Sequence, residues 1–242
     1  MQYRVNIFGF MYLNSTDAPG NQGLLDQTLA MQWIQNNIQA FGGDNSKITI
    51  VGESAGAASV GLHLLSPLSA NYYRNAVLES GSGSAYWVIK DTNHTLKYYS
   101  DIMTFTGCTS STLADKFACF KNLDSNTILT KTYQYLGNYS QGDLFYFTPV
   151  VDNYFLSDKP INLLKQGKFK RCSILVGANK DEGNMFFYGV LPGYTNLNSM
   201  PSINSATFKK YLNEIFAYFP NYPQLSSRTV QKACLLYTSR RG

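Results

Sequence analysis

The stretch KITIVGESAGAASVGLHLL, residues 47–65, decides the fold. Its residues 48–51 form a short, β-branched apolar run, which predicts a strand buried on both faces. Residues 52–56 read GESAG, the Gly-x-Ser-x-Gly pattern, and the apolar residues that follow recur at helical spacing. Because this pattern requires a strand before it and a helix after it, its setting makes Ser54 a candidate nucleophile.

Each residue around Ser54 has an expected physical role in the turn. The serine must stand on a sharp, strained turn so that its hydroxyl projects from the carboxyl end of the strand. A side chain at Gly52 or Gly56 is expected to clash with the neighbouring strand or helix. The N–H group of Ala55, at the positive end of the helix, is expected to donate to a developing oxyanion. The alternative is a serine that only caps the helix.

The rest of the chain predicts further strands and helices around this motif. Apolar runs predict strands at 1–9, 75–78 and 173–177, the last of them buried. Helical spacing predicts helices at 25–38 and 207–218, and a helical but irregular region at 92–140. The alternation of strands and helices indicates crossover units, so the predicted fold is α/β with a mostly parallel sheet.

The composition excludes several classes of protein. Of the 242 residues, 44% are apolar and only 14% are charged, which excludes a disordered chain and a coiled coil. The net charge is +5, but the 20 Lys and Arg residues are scattered, so no nucleic-acid partner is expected. No apolar stretch reaches the roughly 18 residues of a membrane span. The four cysteines fit no metal spacing, so we expect neither a metal nor another cofactor.

A serine hydroxyl is a poor nucleophile without a base, and the chain has only two histidines. His63 comes nine residues after Ser54 on the same predicted helix, about 14 Å along its axis, and is interpreted as a structural residue. His94 is expected in an exposed loop. Since neither is a credible base, the catalytic histidine is expected downstream of this chain.

A carboxylate just past the carboxyl end of a strand is where the acid of a catalytic triad belongs. Asp181 and Glu182 follow the predicted strand 173–177 and compete for this role. Asp152 is a weaker third candidate.

Three sequons for N-linked glycosylation begin at Asn14, Asn93 and Asn138 and favour a secreted chain. In an oxidising compartment Cys108 and Cys119 could close a short disulfide loop, and the alternative is that all four cysteines are reduced. No signal peptide precedes the first predicted strand, so we expect the chain to be a piece of something longer.

Several segments resemble cholinesterases and related type-B carboxylesterases, in the order of that family. They are APGNQGLLDQ (18–27), FGGD (41–44), GESAGAASV (52–60), PVVD (149–152), FLSD (155–158) and KDEG (180–183). The resemblance runs from residue 1 to about residue 220. It implies the α/β-hydrolase fold, truncated at both ends, and hydrolysis of carboxylic esters. We therefore expect a partial hydrolase domain at 1–234 and a tail of doubtful origin at 235–242.

The resemblance also implies roles for residues of the site. Ser54 matches the family's nucleophile, and Glu182 matches the triad acid in preference to its neighbour. Ala55 matches a donor of the oxyanion hole. Glu53 matches the acidic residue beside the nucleophile that steadies the cationic intermediate, and Ser80 matches a hydroxyl near the triad acid.

The substrate pocket matches the family only in part. Trp87 and Phe145 match aromatics of the acyl pocket, and Phe186 resembles an aromatic of the substrate gorge. Asp143 stands near a position where cholinesterases often have a second acyl-pocket aromatic. The family's oxyanion glycines, its choline-contacting tryptophan and its catalytic histidine match no residue here and are expected outside the chain.

Two pairs of residues have structural roles in the family. Cys108 and Cys119 match a family disulfide. Arg4 and Asp44 resemble a buried ion pair.

The function implied by the resemblance is a secreted or cell-surface carboxylic ester hydrolase that acts through an acyl-enzyme. Its partner is a small ester substrate, with choline esters and general carboxylic esters both open. One alternative is a non-catalytic adhesion or binding relative of the same fold. A lipase-type hydrolase is a second alternative, which the acidic Glu53 disfavours. Without a base and the oxyanion glycines, this chain by itself is expected to be inactive, and its oligomeric state stays open.

Overall fold

The computed structural model describes residues 1–138 and 145–182, together with residues 204, 206, 207 and 210. The chain divides into two compact units, one formed by Met1–Asn138 with Phe145–Asn179 and the other by Tyr139–Leu144 with Lys180–Gly242. Most of the helix predicted at 207–218 and all of the tail at 235–242 lie outside the described residues.

The bounded helices and strands of the described residues all belong to the first unit. The helices are α1 (Asn6–Phe10), α2 (Gln22–Asn37), α3 (Ala55–Leu65), α4 (Thr92–Phe105), α5 (Leu113–Lys121), α6 (Ser125–Asn138) and α7 (Pro160–Lys165). The strands are β1 (Tyr12–Ser15), β2 (Ala18–Pro19), β3 (Thr49–Glu53), β4 (Asn75–Glu79) and β5 (Ser173–Gly177). Two short 3₁₀ turns, Ile38–Phe41 and Asn45–Lys47, connect α2 to β3. The helices predicted at 25–38 and within 92–140 are thereby confirmed.

The central sheet is parallel, which confirms the predicted class. Its strands lie in the order β3-β4-β5, with Glu53 opposite Glu79 and Glu79 opposite Gly177. Helix α3 returns from the end of β3 to the start of β4 and packs on both strands, as a crossover between parallel neighbours must. The carboxyl ends of the three strands therefore meet at one end of the sheet.

Helix α3 forms the centre of the core. Its residues from Ala57 to His63 are all buried. On one side Leu62 packs in a cluster with Leu24 and Phe155, and on the other Val60 packs with residues of β3 and β4. This burial anchors the residue that precedes α3, which is Ser54.

Two predictions are wrong for the described residues, namely that β3 is buried on both faces and that β5 is buried. In β3, Ile50 is buried but Val51 is 61% exposed, and in β5 both Leu175 and Val176 are 67% exposed. Among the described elements, α3 makes the extensive helix contacts with the sheet, and it covers one face. An apolar run indicates that a strand can be buried, but it does not supply the element that buries it.

The strand predicted at residues 1–9 is also wrong, because the chain forms helix α1 there. Ile7 and Phe10 are spaced by three residues and are both buried. The Tyr99 hydroxyl donates to the Phe10 carbonyl oxygen at 2.7 Å. A Cβ atom at Gly9 would overlap with the Arg4 carbonyl oxygen, so a glycine permits this tight turn. Tertiary packing thus overrides the local β-branched pattern.

The predicted ion pair between Arg4 and Asp44 is wrong. The Arg4 guanidinium donates to Asp26 at 2.7 and 2.8 Å, and Asp44 pairs with Lys47 at 3.0 Å. A Cβ atom at Gly23 would overlap with the Arg4 carbonyl oxygen, so Arg4 lies against the first turn of α2, within reach of Asp26. Hydrogen bonds from Arg4 lower the pKa of the Asp26 carboxyl below its ordinary value.

The predicted disulfide between Cys108 and Cys119 is confirmed. It joins the turn after α4 to helix α5, with the two Cα atoms 5.7 Å apart. Within the described residues, no helix combines the length and the apolar character that crossing a bilayer would require.

Candidate active site

Ser54 occupies a strained turn between β3 and α3. Its backbone has φ 52° and ψ −115°, a region that residues with a side chain rarely adopt. Its N–H group donates to the Glu79 carbonyl oxygen at 2.9 Å, and its own carbonyl oxygen accepts from the Ala58 N–H at 3.0 Å. One bond ties the turn to the neighbouring strand and the other to the helix, so the strained conformation is held from both sides.

The Ser54 hydroxyl does not cap helix α3. Ser54 stands at the N-cap position, where a serine side chain usually accepts a hydrogen bond from a backbone N–H of the first turn. No such bond is made in the described structure. Ser54 is half-buried, and its hydroxyl is not used by the helix, which disfavours the interpretation of Ser54 as a simple cap.

Glycines allow the backbone to close around this turn. A Cβ atom at Gly52 would overlap with the Gly56 carbonyl group, which confirms the clash predicted there. At Gly56 the prediction is wrong within the described structure, because nothing lies within 4 Å of a Cβ atom placed there. A Cβ atom at Gly81 would overlap with the Ser54 carbonyl oxygen. Sequence reasoning missed Gly81, although its place directly after the predicted β4 was a signal.

Ala55 is the first residue of α3 and is exposed. The first four N–H groups of a helix have no partner within that helix, and its N-terminus carries a partial positive charge. The N–H of Ala55 is therefore suited to bind an oxyanion, as the sequence predicts.

The ends of the neighbouring strands place two further predicted residues near the turn. Glu53 is exposed and lies opposite Glu79 in the register of β3 and β4. Ser80 is half-buried, has φ 53°, and donates its N–H to the Gly177 carbonyl oxygen at 2.8 Å. Glu53, the last residue of β3, and Ser80, the first residue after β4, thus lie at the same end of the sheet.

Two of the predicted pocket aromatics are in contact. The ring centroids of Trp87 and Phe145 are 5.3 Å apart, with the ring planes tilted by 46°. Trp87 packs on the core cluster around Leu62, whereas Phe145 is 41% exposed. Phe186 and Asp143 lie outside the described residues. The contact therefore joins one half-buried ring and one exposed ring.

His63 is a buried structural histidine, as predicted. It is 2% exposed, with Nδ1 3.0 Å from the Ser69 Oγ and Nε2 2.8 Å from the Gln27 Oε1. Burial lowers its pKa from 6.5 to about 3, so the imidazole is neutral at physiological pH. Both ring nitrogens have partners other than Ser54, which agrees with the prediction that His63 is not the base.

His94 is exposed as predicted, but it lies in the first turn of α4 rather than in a loop. The Asp91 side chain caps this helix by accepting from the Asn93 and His94 N–H groups at 3.0 and 3.1 Å. An aspartate before a helical pattern is a sequence signal for a helix start, but the polar residues around Asp91 led to the prediction of a loop.

The sequon asparagines lie at the surface where their side chains are described. Asn14 in β1 and Asn93 in α4 are exposed. Asn138 is the last residue of α6.

The three candidate acids differ in their surroundings. Asp152 uses Oδ1 to accept from three backbone N–H groups, those of residues 154–156, at 2.9 to 3.1 Å. These hydrogen bonds stabilise the segment 152–156 and give the aspartate of the PVVD motif a structural role. Asp181 and Glu182 are exposed in the turn that follows β5.

The strained serine turn between a parallel strand and a buried helix is the arrangement found in α/β-hydrolases, and that class fits the described sheet. The chain belongs to the carboxylesterase family. The sequence model of that family, described as "Carboxylesterase family", matches residues 1–240. The family expected from the sequence motifs is thereby confirmed.

Cholinesterases are among the similar proteins. The chain is 42% identical over 231 residues to "Cholinesterase" of Mus musculus, covering 95% of this chain and 38% of that protein. It is 41% identical over 199 residues to "Acetylcholinesterase" of Danio rerio, covering 82% of this chain and 31% of that protein. It is 36% identical over 245 residues to "Cholinesterase 1" of Branchiostoma lanceolatum, covering 98% of this chain and 66% of that protein. The chain spans roughly a third of the mouse and zebrafish proteins.

Proposed function

We propose that this chain is part of a serine carboxylic ester hydrolase that acts through an acyl-enzyme. The observation that carries the proposal is the strained Ser54 turn, whose hydroxyl is not used to cap α3. Strain of this kind costs free energy and persists at functional sites because the surrounding contacts enforce it. Membership of the carboxylesterase family supports the same reaction.

In the proposed mechanism, the Ser54 hydroxyl attacks the ester carbonyl carbon and loses its proton to a histidine outside these 242 residues. Glu182 orients that imidazole and stabilises its cationic form. The Ala55 N–H, with further donors from outside the chain, binds the tetrahedral oxyanion. The alcohol leaves with the proton from the imidazole, and water then cleaves the acyl-enzyme by the same steps in reverse order.

The proposed substrate is a small carboxylic ester, with a choline ester as the more specific candidate. The contact between Trp87 and Phe145 supports an aromatic acyl pocket, and the similar proteins are named cholinesterases. Exposed Asn14 and Asn93 within sequons and the Cys108–Cys119 disulfide support a secreted or cell-surface location. A non-catalytic binding protein remains the second candidate, and the intact serine turn argues against it.

The test is covalent labelling of Ser54 in the full-length protein that contains this chain. An organophosphate should label wild type at Ser54 and abolish hydrolysis of an activated ester. Ser54→Ala should prevent labelling and lower kcat by about 10⁶-fold, the loss typical of a missing nucleophile. Ser110→Ala, which changes an exposed serine between α4 and α5, is the matched control and should behave as wild type.

Two results would contradict the proposal. One is an unlabelled, inactive wild type, which would favour the binding protein. The other is turnover by the isolated 242-residue chain that Ser54→Ala abolishes, which would keep Ser54 as the nucleophile but contradict the placement of its base outside these residues.

A further inference from the structure

A buried polar network connects α2 to the first turn of α3. The His63 Nε2 lies 2.8 Å from the Gln27 Oε1, and the Gln27 Nε2 donates to the Ser59 Oγ at 3.4 Å. The Ser59 Oγ in turn donates to the Ala55 carbonyl oxygen at 3.0 Å. His63, Gln27 and Ser59 are all buried. The network thus ends on the residue that directly follows Ser54.

Hydrogen-bond chemistry fixes the direction of this network. An amide oxygen only accepts, so the His63 Nε2 must carry the proton that it shares with Gln27. The Gln27 amide nitrogen then donates to Ser59, and the single Ser59 hydroxyl proton goes to the Ala55 carbonyl. Each donor polarises the next, so the chain of bonds is ordered from the imidazole to Ala55.

On the Nδ1 side of the imidazole, one hydrogen bond must stay unmade as long as His63 is neutral. The Ser69 hydroxyl has one proton and two acceptors in reach, the His63 Nδ1 at 3.0 Å and the His63 carbonyl oxygen at 3.2 Å. That carbonyl has no helical donor because residue 67 is a proline. An imidazolium would satisfy both bonds, but it would be a buried charge, which costs far more than one unmade hydrogen bond.

No charged group faces the ring to offset that cost among the described contacts. Gln27 approaches from α2, Ser69 from the turn after α3, and the Phe155 ring packs against the imidazole with centroids 5.4 Å apart. Burial is accordingly the cause of the lowered pKa of His63. The neutral tautomer with the proton on Nε2 is the form that this environment favours.

We propose that neutral His63 is a positioning residue for the nucleophile and that it acts through Gln27 and Ser59 on the Ala55 carbonyl. This role rests on the proposed function. The Ala55 carbonyl and the N–H that binds the oxyanion belong to adjacent peptide units joined at the same Cα atom, so holding the carbonyl restrains the backbone that carries the donor. A misplacement of about 1 Å at a reacting centre can cost roughly 100-fold in rate. A Cβ atom at Gly81 would overlap with the Ser54 carbonyl oxygen, so the same turn also depends on close packing by the chain after β4.

The experiment compares two buried serines that touch the same network in the full-length protein. Ser59→Ala removes the hydrogen bond to the Ala55 carbonyl. Ser69→Ala instead removes the hydrogen bonds to the His63 ring and to the His63 carbonyl near the end of α3. Active sites are counted by organophosphate titration, so that kcat refers only to folded sites. Ser59→Ala should lower kcat about tenfold with KM within twofold, and Ser59→Thr, which restores the hydroxyl, should recover most of the loss. Ser69→Ala should keep kcat within twofold even where it lowers Tm.

A second measurement reads the tautomer directly. Side-chain ¹⁵N shifts, assigned with His63→Gln in a Ser54→Ala background, should place the His63 proton on Nε2. Equal kcat for Ser59→Ala and Ser69→Ala per titrated site, or a proton on Nδ1, would overturn the positioning role. An unlabelled wild type would instead overturn the proposed function, and with it the role of His63 in catalysis. The tautomer of His63 is measured whether or not the wild type is labelled.

Discussion

Strands β3 and β5 flank β4 in the same register, yet their surroundings differ sharply. The backbone at the carboxyl end of β3 is enclosed, since a Cβ atom at Gly52 would overlap with the Gly56 backbone and Ser54 bonds to both β4 and α3. At the same level of β5, nothing in the described structure lies within 4 Å of a Cβ atom placed on Gly177. All five residues of β5 are exposed.

This difference indicates how the candidate site is built. The conformation of Ser54 is imposed by short-range contacts within the first unit, so it is determined locally. Glu182 follows a strand that shares the sheet hydrogen bonds but lacks that packing. The Ser54 turn should therefore be sensitive to single atoms, and β5 should tolerate change unless residues beyond those described cover it.

The largest effect is expected for Gly52→Ala, with Gly177→Ala as its matched control. The new methyl group at position 52 would overlap with the Gly56 carbonyl, and both groups belong to backbone that cannot simply rotate away. We expect a loss of more than about 4 kcal/mol in the free energy of unfolding, measured by urea denaturation. Gly177→Ala should cost about 0.5 kcal/mol or less. Similar costs at the two positions would remove the contrast between the strands.

A smaller effect is expected when a leucine is replaced by alanine in each of the two regions, one in α3 and one in β5. Leu62 of α3 is fully buried and Leu175 of β5 is 67% exposed. Leu62→Ala should cost about 3 kcal/mol of unfolding free energy because it removes a core side chain and leaves a cavity. Leu175→Ala should cost no more than about 0.5 kcal/mol. An equal cost at Leu175 in the full-length protein would mean that β5 is covered there, and the contrast between the two strands would then not hold in that protein.

The enclosed region was also the part most accessible to sequence reasoning. The Gly-x-Ser-x-Gly pattern, the bounds of α3 and the parallel order of β3 and β4 all follow from residues close together in the chain. His63 could be identified as structural because its spacing from Ser54 is fixed by the helix itself. Local patterns determine such features because the contacts that enforce them are also local.

Features that depend on distant residues were predicted less well. The partner of Arg4 is Asp26 rather than Asp44, because close packing at Gly23 brings Arg4 onto α2. The apolar pattern of β5 gave no information on whether a covering element is present. The network from His63 to Ala55 joins α2, α3 and the following turn, and a sequence read residue by residue does not reveal which polar side chains meet.

The smallest of these effects is a loss of unfolding free energy at acidic pH, and it tests whether the enclosed region depends on a neutral His63 imidazole. The ordinary pKa of histidine is 6.5, and the pKa of His63 in the folded protein is about 3. Above pH 6.5 neither state binds the proton, whereas between pH 6.5 and 3 only the unfolded chain binds it, so stability is lost as the pH falls. From these two values, His63 should account for about 2 kcal/mol of lost unfolding free energy between pH 7.5 and 5.

Other groups titrate in that range, so the measurement must be a difference between variants. Urea denaturation at pH 7.5 and pH 5 should show a smaller loss for His63→Gln than for wild type, by about the amount attributed to His63. His94→Gln removes the other histidine of the chain without touching the network and serves as the control. An equal loss in His63→Gln and wild type would mean that His63 accepts a proton in the folded protein. That proton would occupy Nδ1 and leave the Ser69 hydroxyl to bond the His63 carbonyl, while Nε2 would still donate to Gln27, so the hydrogen bonds toward Ala55 would keep their order.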